Sequence, residues 1–272
     1  AFKLFHRGLE YPDRWFCQRL TILDTKRDDG TPVIRPEDVE QAIREGRDPD
    51  LAQQEYYCSW NSPMQGSYYG KLLELADKEG RISSIPWEPK VPVDTWWDLG
   101  VGDSTAIWFT QAVRKEVRVI DYLESSGEGL QYYKKELDKK EYAYGRHNAP
   151  HDIEVREFAQ DAKKRIDIAA SLGIRFNVVP NIPIDDGIAA VRTMIPKCWF
   201  DRIKCGKGLD SLYSYHKEYD DKSQCFKDHP AHDFSSHCAD AFRYFAVGFR
   251  GPSQMTQKQA ISYFNPLTYG QP

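Results

Sequence analysis

The sequence predicts a mixed α/β domain preceded by a helical segment. Three apolar runs in succession, Val93 to Leu99, Thr105 to Thr110 and Val117 to Leu123, have strand length and are separated by turn-forming or charged residues. Beyond them, helix-like and strand-like stretches alternate, the pattern of helices laid on the faces of a sheet. The 272 residues leave room for one large domain, or for one domain with a helical annex.

Residues 1 to about 30 make a mixed segment, with Trp15-Phe16-Cys17 and Leu20-Thr21-Ile22-Leu23 as short strand-like runs. Three helices are predicted next. The first opens at Pro36, carries Glu37, Asp38 and Glu40 in its first turns, and stops at Gly46. The second is capped by Asp48 ahead of Pro49 and runs to Tyr57. The third covers Tyr69 to Glu79 and ends at Gly80. Pro86, Pro89 and Pro92 then form a stiff joint, and the domain boundary is placed there, between residues 88 and 89.

In the first strand, Trp96 and Asp98 share one face while Val93, Thr95, Trp97 and Leu99 share the other. Gly100 to Ser104 reads as a hairpin turn, and Arg114-Lys115-Glu116 separates the second run from the third. Gly127 to Glu141 is a predicted helix. Tyr144 to Ile153 is a predicted strand with Asp152 near its C-terminal end. A helix (156–172), a strand (Arg175 to Val179) and a helix (Asp186 to Pro196) follow, and Ile203 to Leu212 leads into another helix. Asp220, Asp221 and Lys222 fall in a polar loop. Asp233 to Phe249 is the last helix, ahead of a tail of little periodicity from Gly251 to Pro272, residues 251–272.

Composition narrows the function classes. Hydrophobic residues make up 40% and charged residues 29%, as in soluble globular proteins. No apolar run approaches the roughly 20 residues that a membrane-spanning helix needs. The first residues lack the apolar core of a signal peptide, and the missing initiator Met points to a fragment of something longer. A net charge of −4 means that nucleic acid, if bound, meets a local basic surface rather than a global field. The six cysteines contain no C-x-x-C pair, which argues against structural zinc and for reduced thiols in a cytosol.

The acids carry the chemistry. An ionised Asp98 inside a buried strand is costly unless something pairs with it or coordinates it; solvation at the strand end is the bland alternative. Along the last helix Asp233, Ser236, His237, Asp240 and Tyr244 fall on one side, and Phe234, Cys238, Ala241, Phe242 and Phe245 on another. Small residues around Asp240 allow the helix to approach a sheet closely with the carboxylate aimed inward. Asp233 fits a solvated helix face equally well. If Asp98, Asp152 and Asp240 converge, they repel one another unless a dication neutralises them. Oxygen ligands of this kind select Mg²⁺ or Mn²⁺, and two such ions about 3.5–4 Å apart suit in-line attack on a phosphodiester.

Three segments, Asp98-Leu99-Gly100…Asp103-Ser104-Thr105-Ala106-Ile107, Pro150-His151-Asp152, and His232-Asp233-Phe234-Ser235-Ser236-His237…Ala239-Asp240-Ala241-Phe242-Arg243-Tyr244, resemble the C-terminal nuclease domain of tailed-bacteriophage large terminase subunits. The likeness covers about residues 90–250, and its closing S-S-H-x-x-D-A-x-R-Y segment is the most specific part. Gln53 to Trp60 more weakly resembles the linker between the terminase motor and its nuclease. The resemblance implies an RNase H-like fold, a mixed β-sheet whose first three strands are antiparallel, flanked by helices. It also implies a metal-binding triad of Asp98, Asp152 and Asp240, with Asp233 as a candidate extra ligand and Glu154 as the fallback for Asp152. Asp103 shapes the hairpin on this reading. No G-x-x-x-x-G-K-[ST] motif occurs, so residues 1–88 are expected to hold the end of the ATPase domain and a helical linker, 89–250 the nuclease, and 251–272 a tail.

Several other residues are candidates. His147, His151, His232 and His237 lie near the acids in sequence, with phosphate contact, proton transfer or simple backbone bonding as their roles. Arg202, Lys204 and Lys207, with His151, are candidate DNA contacts. Trp96, Trp97, Trp108 and Trp199 are expected in the core. The implied activity is a Mg²⁺- or Mn²⁺-dependent endonuclease, working with two ions, that cuts concatemeric double-stranded viral DNA during packaging. Its implied partners are the portal and the small terminase subunit, in the host cytoplasm and transiently at the procapsid portal, with no membrane. An RNase H-like resolvase or transposase nuclease and an inert docking module of the motor are the competing readings.

Overall fold

The computed structural model describes residues 8, 11–47, 49–58, 66–100, 104–154, 164–220 and 225–251. Its centre is a seven-stranded mixed sheet. In chain order the strands are β1 (Ile82–Ser83), β2 (Val93–Asp98), β3 (Ser104–Val113), β4 (Glu116–Ser126), β5 (Tyr144–Ala149), β6 (Phe176–Val178) and β7 (Cys198–Asp201). In space they run β1-β7-β4-β3-β2-β5-β6. β2, β3 and β4 are antiparallel neighbours, while β5 joins β2 and β7 joins β4 in parallel. This is the RNase H-like arrangement that the resemblance implies, with the expected antiparallel start. A separate antiparallel pair, β8 (Lys217–Asp220) and β9 (Cys225–Pro230), forms a small second sheet.

The helices are α1 (Pro36–Arg44), α2 (Pro49–Tyr57), α3 (Gly70–Lys78), α4 (Leu130–Lys139), α5 (Arg165–Ser171), α6 (Ile184–Met194), α7 (Gly206–Ser214) and α8 (Ser236–Gly248). α3, α6, α7 and α8 contribute to the core on one face of the sheet, and α4 and α5 to the core on the other. With both faces covered, the central strands are buried nearly throughout rather than on alternate residues. The side-chain parity read for β2 holds. Trp96 packs with Cys238, Phe242 and Phe245 on one side, and Val93, Trp97 and Leu99 with Tyr133 and Ile153 on the other. Trp96, Trp97 and Trp108 are fully buried, whereas Trp199 is half-buried.

Several expectations are corrected. Among the described residues, 11–30 hold no strand, only an isolated bridge between Lys26 and Pro32; Leu20 and Leu23 stay exposed because no neighbouring strand is there to pair them. The strand from Tyr144 ends at Ala149, because Pro150 supplies no N–H for the ladder and His151–Glu154 turn into a 3₁₀ helix. The last helix begins at Ser236, three residues later than expected, and Phe234 is exposed instead of sharing the buried stripe. Strand pairing also claims Ile82–Ser83, Cys198–Asp201 and the two arms around 221–224, none of which has enough length or alternation to be recognised alone. α3 and β1 precede the proline joint, yet Leu73, Ala76 and Ile82 pack in the main core beside α6 and α8. The expected Asp48 cap, the hairpin tip with Asp103, the first turns of the helix from 156, Asp221, Lys222 and the tail from 252 lie outside the described residues.

α7 lies unusually close to the sheet. A Cβ on Gly208 would run into the Trp108 ring and approach Tyr122 Cγ at 2.9 Å. Gly208→Ala is therefore expected to cost about 1–3 kcal/mol through overpacking, read as a lower urea midpoint at unchanged slope.

Candidate active site at the end of the central sheet

β2 and β5 run in parallel, with Trp96 opposite Asn148. Asp98, two residues on, therefore ends its strand at the level where β5 gives way to Pro150 and the turn that carries Asp152. α8 crosses the same end, tied down by the Trp108 indole N–H, which donates to the Cys238 carbonyl at 3.0 Å. Register, turn and helix packing thus put Asp98 within electrostatic reach of residues that lie 54 and 142 positions away.

The carboxylates feel one another. Burial pushes the Asp152 carboxyl above the ordinary range, and the Asp98 charge adds to the rise. Burial pushes Asp240 up to about 6, with the Arg243 guanidinium pulling it down and Asp98 pushing it further up. Tyr244 rises to about 12, chiefly through burial and then through Asp98 and Asp240. Asp152 Oδ1 is buried and has no hydrogen-bond partner. An orphaned, desolvated carboxylate oxygen near other acids is suited to a cation.

Two basic side chains already touch the site. The His237 ring bonds Asp98 Oδ2 through Nδ1 at 2.9 Å, with the carboxylate oxygen as acceptor. Arg243 Nη1 lies 2.7 Å from Asp240 Oδ1. Among the described residues, no group of three His, Cys, Asp or Glu side chains is close enough to hold a metal ion. The donor set has the hard-oxygen chemistry of a Mg²⁺ or Mn²⁺ site, but the acids do not stand as a closed cage.

The other candidates separate clearly. Asp233 organises the turn into α8: its Oδ1 accepts from the Ser235 N–H at 2.8 Å and the Ser235 hydroxyl at 2.5 Å. Glu154 is exposed, two residues beyond the half-buried Asp152. His151 is exposed, and the rings of His232 and His237 lie 6.3 Å apart. His147 is structural: burial lowers it to about 4, and its Nδ1 meets Thr95 Oγ1 at 2.7 Å. Arg202 pairs with Asp77 and donates to the Ile82 carbonyl at 2.6 Å. Lys204 reaches the Tyr142 hydroxyl at 3.4 Å. Lys207 is 57% exposed and pairs with Glu124 at 3.0 Å.

Glu124 and Arg243 were not singled out from the sequence. Glu124 sits opposite Ala106, which sits opposite Asp98, so the two acids share a face about 10 Å apart. No sequence signal announces that pairing. For Arg243 the signal was present, since it lies three residues from Asp240 on one helix.

No family model and no curated protein matches the sequence. Solved structures do match it. A large terminase from a thermophilic bacteriophage is similar with a TM-score of 0.52 at 17% identity, over 89% of this chain and 59% of that one. Over the matched part, the chain shares the fold of that large terminase. The P22 large terminase nuclease domain is similar with a TM-score of 0.50 at 13% identity, over 65% of this chain and 92% of that one. This chain thus spans about three fifths of the thermophilic-phage terminase, 59% of its length.

Because Asp240 titrates higher in the folded chain (about 6) than when unfolded, its contribution to stability is whole below about pH 4 and is lost as pH rises through 6. Asp240→Asn is therefore expected to gain on wild type by about 1–2 kcal/mol between pH 4 and neutrality, after allowance for partial exposure, whatever its offset at low pH from leaving Arg243 without its partner. Urea unfolding in EDTA at both ends of that range checks it.

Proposed function

We propose that the chain is a divalent-metal-dependent endonuclease that hydrolyses double-stranded DNA during viral genome packaging. The observations that support this reading are the electrostatic influence of Asp98 on both Asp152 and Asp240 and the buried, unpartnered Asp152 Oδ1. Asp98, Asp152 and Asp240 would hold Mg²⁺ or Mn²⁺, two ions on this reading. Bound there, such ions supply Lewis-acid stabilisation of charge at the attacked phosphate and the departing 3′ oxygen.

The chain's own residues do the rest. β2 and α8 position two of the acids rigidly, and His237 fixes the orientation of Asp98. Lys207 lies on the Asp98 face of the sheet, beside Glu124, where it can meet a DNA phosphate. Arg202 is engaged with Asp77 and Ile82 and suits a structural role better. The fold shared with the thermophilic-phage and P22 proteins supports a place in a terminase motor, with the portal and small subunit as partners at the procapsid in the host cytoplasm. A docking module with an inert acid site is the second reading, favoured by the pairing of Asp98 and Asp240 with His237 and Arg243.

Supercoiled plasmid incubated with Mn²⁺ or Mg²⁺ is expected to be nicked and linearised, and EDTA is expected to stop it. Asp98→Asn should lower the rate by more than about 100-fold, since loss of a ligand costs more than loss of a supporting contact. Undiminished cutting by this variant would refute the assignment, and no cutting by the wild type with either ion would favour the docking module. Lys207→Ala should weaken DNA binding at every sequence alike and lower the slope of log affinity against log salt by about one, measured by fluorescence anisotropy.

A further inference from the structure

We propose that Arg243 is a positioning residue that serves as the resident counter-cation of the acid cluster, holding Asp240 in the metal-free chain and opposing the charge of an incoming divalent cation. The second half of this inference rests on the metal reading above. Arg243 is no ordinary surface partner. Its side chain is only 12% exposed, and it meets Asp240 Oδ1 at 2.7 Å from one turn further along α8. An exposed pair at this spacing contributes little, but a pair withdrawn from water leaves an uncompensated charge when one member is removed.

The scaffold makes room for it. Gly187 sits inside α6, where glycine costs about 1 kcal/mol relative to alanine. A Cβ there would collide with Cδ and Cγ of Arg243. The guanidinium also lies 5.6 Å from the Tyr244 ring centre. His237 stands in a similar relation to Asp98, but its charge depends on protonation, whereas that of Arg243 is permanent. Asp240 therefore has a fixed positive partner within a cluster of like-charged acids. A dication drawn to Asp240 must approach that same positive charge.

The test uses the full chain and MnCl₂ as probe, with thermal unfolding in EDTA and calorimetric titration of Mn²⁺. Without metal, Arg243→Gln is expected to melt about 5 °C below wild type, whereas R243Q/D240N should melt no lower than Asp240→Asn alone. A purely packing role for Arg243 would cost the same in both backgrounds. Arg243→Gln should bind Mn²⁺ about tenfold more tightly than wild type, because a nearby positive charge is gone. Gly187→Ala, which forces the guanidinium aside, should shift affinity in the same direction, and it serves if Arg243→Gln does not fold. Equal cost of Arg243→Gln with and without the Asp240 charge, or Mn²⁺ binding no tighter in either variant, would overturn the proposal. A wild-type chain that binds no Mn²⁺ would sink the metal reading instead, while the comparison in the Asp240→Asn background would still decide the role of Arg243.

Discussion

Asp98 ends β2 between two buried cores, and its negative charge reaches both Asp152 and Asp240. Bringing like charges together out of water is unfavourable, so the surrounding structure has to hold them there. That requirement accounts for much of the local architecture. The Trp108 indole anchors α8 against the sheet, His237 engages Asp98, and Arg243 engages Asp240. Each contact either fixes the distance between acids or offsets their charge.

The apolar scaffold sets the precision of this arrangement. Trp96, Trp97 and Trp108 fill both sides of the central strands, and the facing glycines leave no slack. Gly208 lets α7 come down onto Trp108, and Gly248 lets the end of α8 settle on Trp96, where a Cβ would lie 2.6 Å from the ring. Close-packed interiors transmit small displacements, so the position of Asp240 depends on contacts well away from its carboxylate. α3 belongs to the same assembly. Tyr69, just before it, stacks on Tyr215 and lies within electrostatic reach of Asp240 and Arg243, so the segment ahead of the proline joint contributes to the wall behind the site.

Local patterns carried a large part of this in the linear sequence. The three runs from Val93 to Leu123 are long and apolar enough to be strands wherever they lie, and the parity of Trp96 and Asp98 against Thr95 and Trp97 follows from side-chain alternation alone. α8 announced itself through the spacing of Cys238, Ala241, Phe242 and Phe245. β1 and β7 were illegible because short strands exist by virtue of their neighbours: Ile82 is a strand residue since Phe200 lies beside it. The early end of β5 turns on Pro150 and on the competition between one more ladder bond and a 3₁₀ turn.

Residue chemistry and periodicity by themselves determined the mixed α/β class, the order of the main elements, and the places of Asp98 at a strand end and Asp240 on a helix. Only the tertiary structure decided that Asp98 comes within electrostatic reach of both Asp152 and Asp240, that Asp233 serves a turn and that Glu154 faces water. The reason is physical. Alternation and helical spacing arise from the geometry of neighbouring residues, whereas electrostatic coupling between distant carboxylates depends on strand register and helix packing, which belong to the folded chain as a whole.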